Sequence, residues 1–250
     1  MYKKLFLSIF FITLFSGCAK HNKVNELFQT NKAVEIANDY KEILSYLNTY
    51  KVKLDKRNPK QFNKDLKVAI HNQINSLNNI VSLKNFDNEI LINYKQYLDM
   101  AFSSKNVYFR NDYLILGMYY MIYDSYSLKE FHKFTALNYN KEKLQNLYKN
   151  LHILRWRIKT AKNSDGKYLF LTWQNNWQVE FINKNIKNLN EINELTYIKT
   201  AKESILSPSN FSFEVLISLM ILRVEDTLKN IGSEPSQITI DTIKSLVFII

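Results

Sequence analysis

Residues that cross-link or turn a chain are scarce here: one cysteine, three prolines and four glycines in 250 residues. A lone cysteine excludes an internal disulfide, a thiolate zinc site and an iron–sulfur cluster. A β-sandwich or barrel needs turn chemistry roughly every 8–12 residues, and that supply is missing, so long helices are favoured. His21, His71, His132 and His152 stand apart without paired ligand spacing, so no metal site is expected. No G-x-S-x-G, P-loop, G-x-G-x-x-G or EF-hand pattern occurs, and no cofactor is expected. Asn210-Phe-Ser212 matches a glycosylation sequon, but three-letter matches are frequent by chance.

A block of one charge is also absent. The net charge of +11 comes from 34 basic and 23 acidic residues. It is spread evenly: residues 19–105 carry 14 basic and 9 acidic side chains, and residues 106–250 carry 18 and 14. A nucleic-acid reader concentrates its charge on one face, so nucleic acid is not an expected partner. A diffuse positive excess suits an anionic cell-wall or lipid surface, or an envelope protein, and composition bias alone would also produce it.

What the chain does have begins at its first residues. Met1-Tyr-Lys-Lys precedes an apolar run from Leu5 to Phe15, then Ser16-Gly17-Cys18. A membrane span needs about 20 apolar residues; this shorter run has the length of a secretory signal core. The segment resembles the lipobox of bacterial lipoprotein precursors over residues 1–18 only. Phe15 stands where that pattern usually has Leu, with Leu14 one place away. The resemblance implies a diacylglycerol on the Cys18 thiol, cleavage before Cys18, and acylation of the new N-terminus with a fatty acid such as palmitate. It implies a membrane as partner and an extracytoplasmic location. In a Gram-negative bacterium, Ala19 rather than Asp resembles an outer-membrane sorting signal, facing the periplasm. The alternative is an ordinary cleaved signal with an incidental cysteine. Residues 19–23 form a tether, which spans at most about 18 Å.

From residue 24 the pattern predicts an all-α fold, a multi-helix bundle around a central apolar helix at about 107–131. Val34, Ala37, Tyr40, Ile43, Leu44, Leu47 and Leu54 form a helical stripe that stops before Asn58-Pro59,. Second and third helices are expected from Phe62 to Val81 and from Phe86 to Phe102. Tyr113 to Tyr123 carries no charge and is apolar all round, the pattern of a helix covered on every side. A helix from Lys141 to about Lys162 follows. Residues 168–181 read either as a helix or as a β-hairpin pairing Trp173 with Trp177, leading into a helix from about Gln178. Further helices are expected over 182–206, 210–231 with Gly232 at the C′ position, and 236–250. Residues 24–250 read as one domain, with a boundary near 103–106 as the alternative.

Two constellations offer chemistry. Successive turns of the central helix place Arg110, Tyr113, Gly117, Tyr120 and Asp124 on one polar stripe. It would line a pocket, or simply admit a neighbouring helix at Gly117. Within it, Asp124 is the one candidate general acid or base, with Tyr120 or Arg110 to stabilise charge. Trp173, Asn175, Asn176, Trp177 and Gln178 combine indoles with amides. That composition suits stacking and hydrogen bonding to a glycan, and equally core packing. No catalytic motif accompanies either set. The expectation is a membrane-anchored helical interaction or scaffold protein of the cell envelope, the alternatives being a glycan or small-ligand module and, third, an enzyme using Asp124.

Overall fold

A computed structural model describes residues 31–76, 80–126, 139–172, 176–200 and 212–235. Among them the fold is all-α, without strands, and the only β pairing is two isolated antiparallel bridges, Lys84 to Ile90 and Lys162 to Tyr168. The helices are α1 (31–57), α2 (Lys67–Ser76), α3 (Tyr94–Ala101), α4 (Arg110–Ser125), α5 (Lys141–Thr160), α6 (Asn176–Asn183), α7 (Thr196–Lys199) and α8 (Ser212–Asn230), with a 3₁₀ turn at Leu189–Glu194. None of the described helices is long and apolar enough to cross a membrane. Residues 1–30, with Cys18 and the tether, lie outside the described residues, as do 127–138, 201–211 and 236–250.

The apolar periods give the long helices. Ile36, Tyr40, Ile43, Leu47 and Leu54 bury one face of α1, and the helix ends before Pro59, whose ring disfavours helical backbone at Asn58. In α5, Leu144, Leu147, Tyr148, Leu151, Leu154 and Ile158 are buried, with Arg157 and Lys159 beside the negative end of the helix dipole. Gly232, at φ +73, completes the close of α8. Its N–H donates to Lys229 O, and the N–H of Ser233 donates back to Leu228 O. Those two bonds are the Schellman pair, and glycine is the residue that adopts its left-handed position without a Cβ penalty.

α4 is the core helix. Residues from every face of it are buried, among them Asp112, Leu114, Ile115, Leu116, Met118, Met121 and Ile122. It packs against α2, α3 and α5, while α5 packs along α8. Gly117 sets the closeness of α3. A Cβ there would lie 2.7 Å from Leu98 Cδ2, 3.0 Å from Leu98 Cγ and 3.2 Å from Tyr97 Cβ. Gly117→Leu should therefore lower stability by about 1–3 kcal/mol in urea denaturation. Gly117→Ala should cost less, because helix propensity returns about 1 kcal/mol. An unchanged Gly117→Leu midpoint would show that α3 is not held tightly against α4.

Several boundaries differ from the periodicity. Within the described residues the expected helices over 62–81 and 86–102 shrink to α2 and α3, and residues 80–93 run without helix. Asn85 Oδ1 accepts from the N–H groups of Asp87 and Glu89, and Asn88 sits at φ 67. An Asn side chain that binds its own backbone offers the chain a turn in place of a helix. α3 starts at a capping box: Asn93 Oδ1 accepts from Gln96 N, and Gln96 Oε1 from Asn93 N,.

Of the two readings of 168–181 the hairpin is not formed, and the helix expected from about Gln178 is present as Asn176–Asn183, so Trp177 lies on a helix rather than on a strand. Tyr168 instead bridges back to Lys162 across a turn at Asn163–Gly166, where Gly166 has φ +74. The expected helix over 182–206 is broken, within its described part, into the 3₁₀ turn and α7. Asn185 at φ 50 interrupts it. Glu180 then caps α7 from outside, accepting from Thr196 N, Thr196 Oγ1 and Tyr197 N. Lys184, and then those bonds, hold its carboxyl down to about 2,.

Candidate functional site

The predicted stripe on α4 exists, but most of it serves packing. Arg110 is buried and donates to the carbonyls of Ala101, Ser103 and Lys105 at 2.8 Å each. It caps the end of α3, where carbonyls lack helical partners, and burial lowers its pKa. Tyr113 donates to Lys84 O at 2.7 Å and Tyr120 to Val81 O at 3.0 Å. Gln73 Nε2 donates to the Tyr120 hydroxyl at 3.0 Å, and Gln73 Oε1 accepts from Val81 N. The two phenols thus fasten the non-helical 80–93 segment to the core helix. The stripe separates: Arg110 belongs to the α3 end, whereas Tyr120 and Asp124 reach an open cleft.

That cleft holds about 490 Å³ between α4, the end of α2 and residues 80–94, a size suited to a small organic ligand. Tyr119, Tyr120, Tyr123 and Asp124 line it from α4, and Ile80, Ile90, Ile92 and Tyr94 from the facing segment. Tyr119 meets Tyr120 edge-on at 5.2 Å and lies tilted against Tyr123 at 5.9 Å. Burial and the neighbouring phenols raise the pKa of Tyr119, which keeps it neutral,. The Asp124 side chain is 58% exposed, and its Oδ1 lies 3.4 Å from Lys143 Nζ.

Two ionic clusters lie elsewhere, the first sealed and the second reaching the surface through Arg223, whose Nη1 is 3.5 Å from Asp39 Oδ1. In the first, Lys51 Nζ sits 2.5 Å from Asp55 Oδ2 and 3.8 Å from Asp112 Oδ1, all three side chains almost wholly buried. Asn111 Nδ2 donates to Asp55 Oδ1 at 3.2 Å, and Asn63 N to Asp112 Oδ2 at 2.7 Å. Burial pushes the Asp112 carboxyl up to about 6, against the opposing pull of Asn63 N–H and Lys51. In the second, Thr227 Oγ1 lies 3.1 Å from Asp39 Oδ2 and 2.9 Å from the Tyr126 hydroxyl. Burial raises Asp39 to about 6, opposed by the Thr227 bond and by Arg223. Neither cluster opens onto the cleft.

The indole and amide segment divides differently. Trp177 is buried, its Nε1 without a hydrogen-bond partner among the described residues, so its role is packing. Trp173 and Asn175 lie outside the described residues, as do the side chains of Asn176 and Gln178. Among the described residues no three His, Cys, Asp or Glu side chains are placed to hold a metal ion. His152 packs on the Tyr148 ring at 4.8 Å, and burial and Arg155 lower its pKa.

Sequence reasoning missed Lys51, Asp55 and Asp39, although the signal was there. Lys51 follows Leu47 by four residues and Asp39 follows Ile36 by three, so both fall on the buried stripe. It also missed Ile80 and Ile92 as cleft residues, because helical readings of 62–81 and 86–102 hide a wall built from non-helical chain. No protein-family model, no curated protein and no solved structure matches this chain.

Proposed function

We propose that this chain is a lipid-anchored protein on the extracytoplasmic side of a bacterial membrane, and that its helical body is an interaction or scaffold module of the cell envelope. The observation that carries the reading is the N-terminal segment that resembles a lipobox and ends at Cys18, the one cysteine of the chain. The body is consistent with it. The Lys51, Asp55 and Asp112 ions are closed off from solvent, and Asp39 is held by Thr227 and Arg223. Among the described residues the one carboxylate in the cleft, Asp124, is open to water and paired with Lys143, and so is not desolvated as a general acid or base would be.

Replacing Cys18 with Ala should abolish lipid labelling and move the protein from the membrane to the soluble fraction. Continued membrane fractionation of a normally cleaved Cys18→Ala product would contradict the proposal.

A second reading, a ligand-binding module of the envelope, is favoured by the cleft at Tyr120 and Asp124. On that reading binding centres on the tyrosines rather than on Trp177, whose indole is packed inside.

A further inference from the structure

We infer that the cleft between α4 and residues 80–94 binds an organic ammonium carried on an apolar body. The inference rests on the ligand-binding reading and names the class of ligand. Among the described residues, four tyrosines, Tyr94, Tyr119, Tyr120 and Tyr123, line the cleft together with one charged side chain, Asp124. Aromatic faces carry partial negative charge, and a cation within about 6 Å of a ring centroid is attracted to it. A carboxylate beside such rings supplies the counter-charge and disfavours an anion in the same place.

The chain already holds an ammonium there. Lys143 Nζ lies 3.4 Å from Asp124 Oδ1 and 3.5 Å from Asp124 O. The pair is well exposed, with 43% and 58% of the two side chains accessible, so little holds it together and a ligand can displace it. Lys143 is therefore a weak internal competitor for the cation position.

The remaining chemistry favours an apolar body over a sugar. Gln73 and Tyr120 bond to each other and to Val81, and Asn93 Oδ1 caps α3, so neither amide oxygen of the wall is left to accept from a sugar hydroxyl. Ile80 and Ile92 are instead 80% and 82% exposed on the same cleft. Covering such side chains favours binding of an apolar group.

The test is calorimetric titration of the purified full-length protein in nonionic detergent with benzyltrimethylammonium, benzyl alcohol and phenylacetate. The cation should bind at least ten times more tightly than the alcohol, and phenylacetate should not bind. Asp124→Asn and Tyr123→Leu should each weaken the cation at least fivefold, and Lys143→Ala should strengthen it. Asp124 and Lys143 are exposed, so those two variants keep the fold, which an unchanged Tm verifies. Equal affinity for cation and alcohol, both weakened by Tyr123→Leu, would overturn the ammonium assignment while leaving a ligand-binding cleft. Preferential binding of phenylacetate would also overturn it. Binding of none of the three probes, or binding indifferent to all three substitutions, would overturn both the assignment and the cleft as a ligand site.

Discussion

Lys51→Met should lower the free energy of unfolding by about 3–5 kcal/mol, because it leaves two buried carboxylates without their cation. Asp55 and Asp112 both face Lys51 inside the protein, at 2.5 and 3.8 Å. Methionine replaces the stem of the lysine, and it keeps apolar contact with the Phe62 ring, over which Nζ now sits at 5.5 Å. The loss is therefore electrostatic rather than a cavity. Urea denaturation at pH 7 measures it. A triple variant, Lys51→Met with Asp55→Leu and Asp112→Leu, should recover most of the loss, since a buried ion cluster contributes little net stability over a packed apolar one. A Lys51→Met loss below about 1 kcal/mol would show that the cluster is not buried as described.

Acidity should stabilise the fold between about pH 7 and pH 4. The Asp112 carboxyl is raised from 3.8 to about 6, and so is that of Asp39. In that window the folded chain holds protons that the unfolded chain has released, so unfolding becomes easier as pH rises from about 4 to about 6. Asp112 is fully buried, and its shift corresponds to at most ~3 kcal/mol. Below that window the trend reverses. Glu180, held down to about 2, contributes stability that is present above its unfolded value of 4.5 and is lost as pH falls towards 2. Thermal melting across pH 3 to 8 should peak near pH 4–5, and Asp112→Asn should flatten the decline above the peak. The Lys51→Met loss should also shrink at pH 5, where the stranded Asp112 carboxyl takes up a proton. A Tm that rises steadily from pH 4 to pH 7 would contradict this account of both clusters.

How far the fold is legible in the sequence depends on whether neighbours along the chain decide it. α1, α5 and α8 follow from their own apolar periods and their own stop signals, Asn58-Pro59, Asn163–Gly166 and Gly232. α4 follows from being apolar on every face. Residues 80–93 were not legible by period, because Val81, Leu83 and Leu91 fit a helix as well as they fit extended chain. The local signals that decide against a helix, Asn85 with Asp87-Asn88 and the Asn93–Gln96 capping box, are polar and invisible to a hydrophobic count. The break after Asn183 depends on Glu180 reaching Thr196 sixteen residues away, which no local window contains.

The candidate site was half legible for the same reason. Tyr120 and Asp124 share a helix face, and the spacing alone places them together. Their partners in the cleft come from segments distant in sequence: Gln73 at the end of α2, Ile80 and Ile92 beyond it, and Lys143 on α5. Arg110 shares the stripe but is drawn off by the carbonyls of Ala101, Ser103 and Lys105. A helical wheel cannot foresee that bond.

Lipid attachment is the central claim, and the mass of the N-terminal peptide of the membrane-extracted protein tests it most directly. The proposal predicts a peptide that begins at Cys18, with a diacylglycerol on sulfur and an acyl group on the new N-terminus, and with no unmodified cysteine. A peptide that still carries Met1 to Gly17, or one cleaved elsewhere with a free Cys18 thiol, would contradict it.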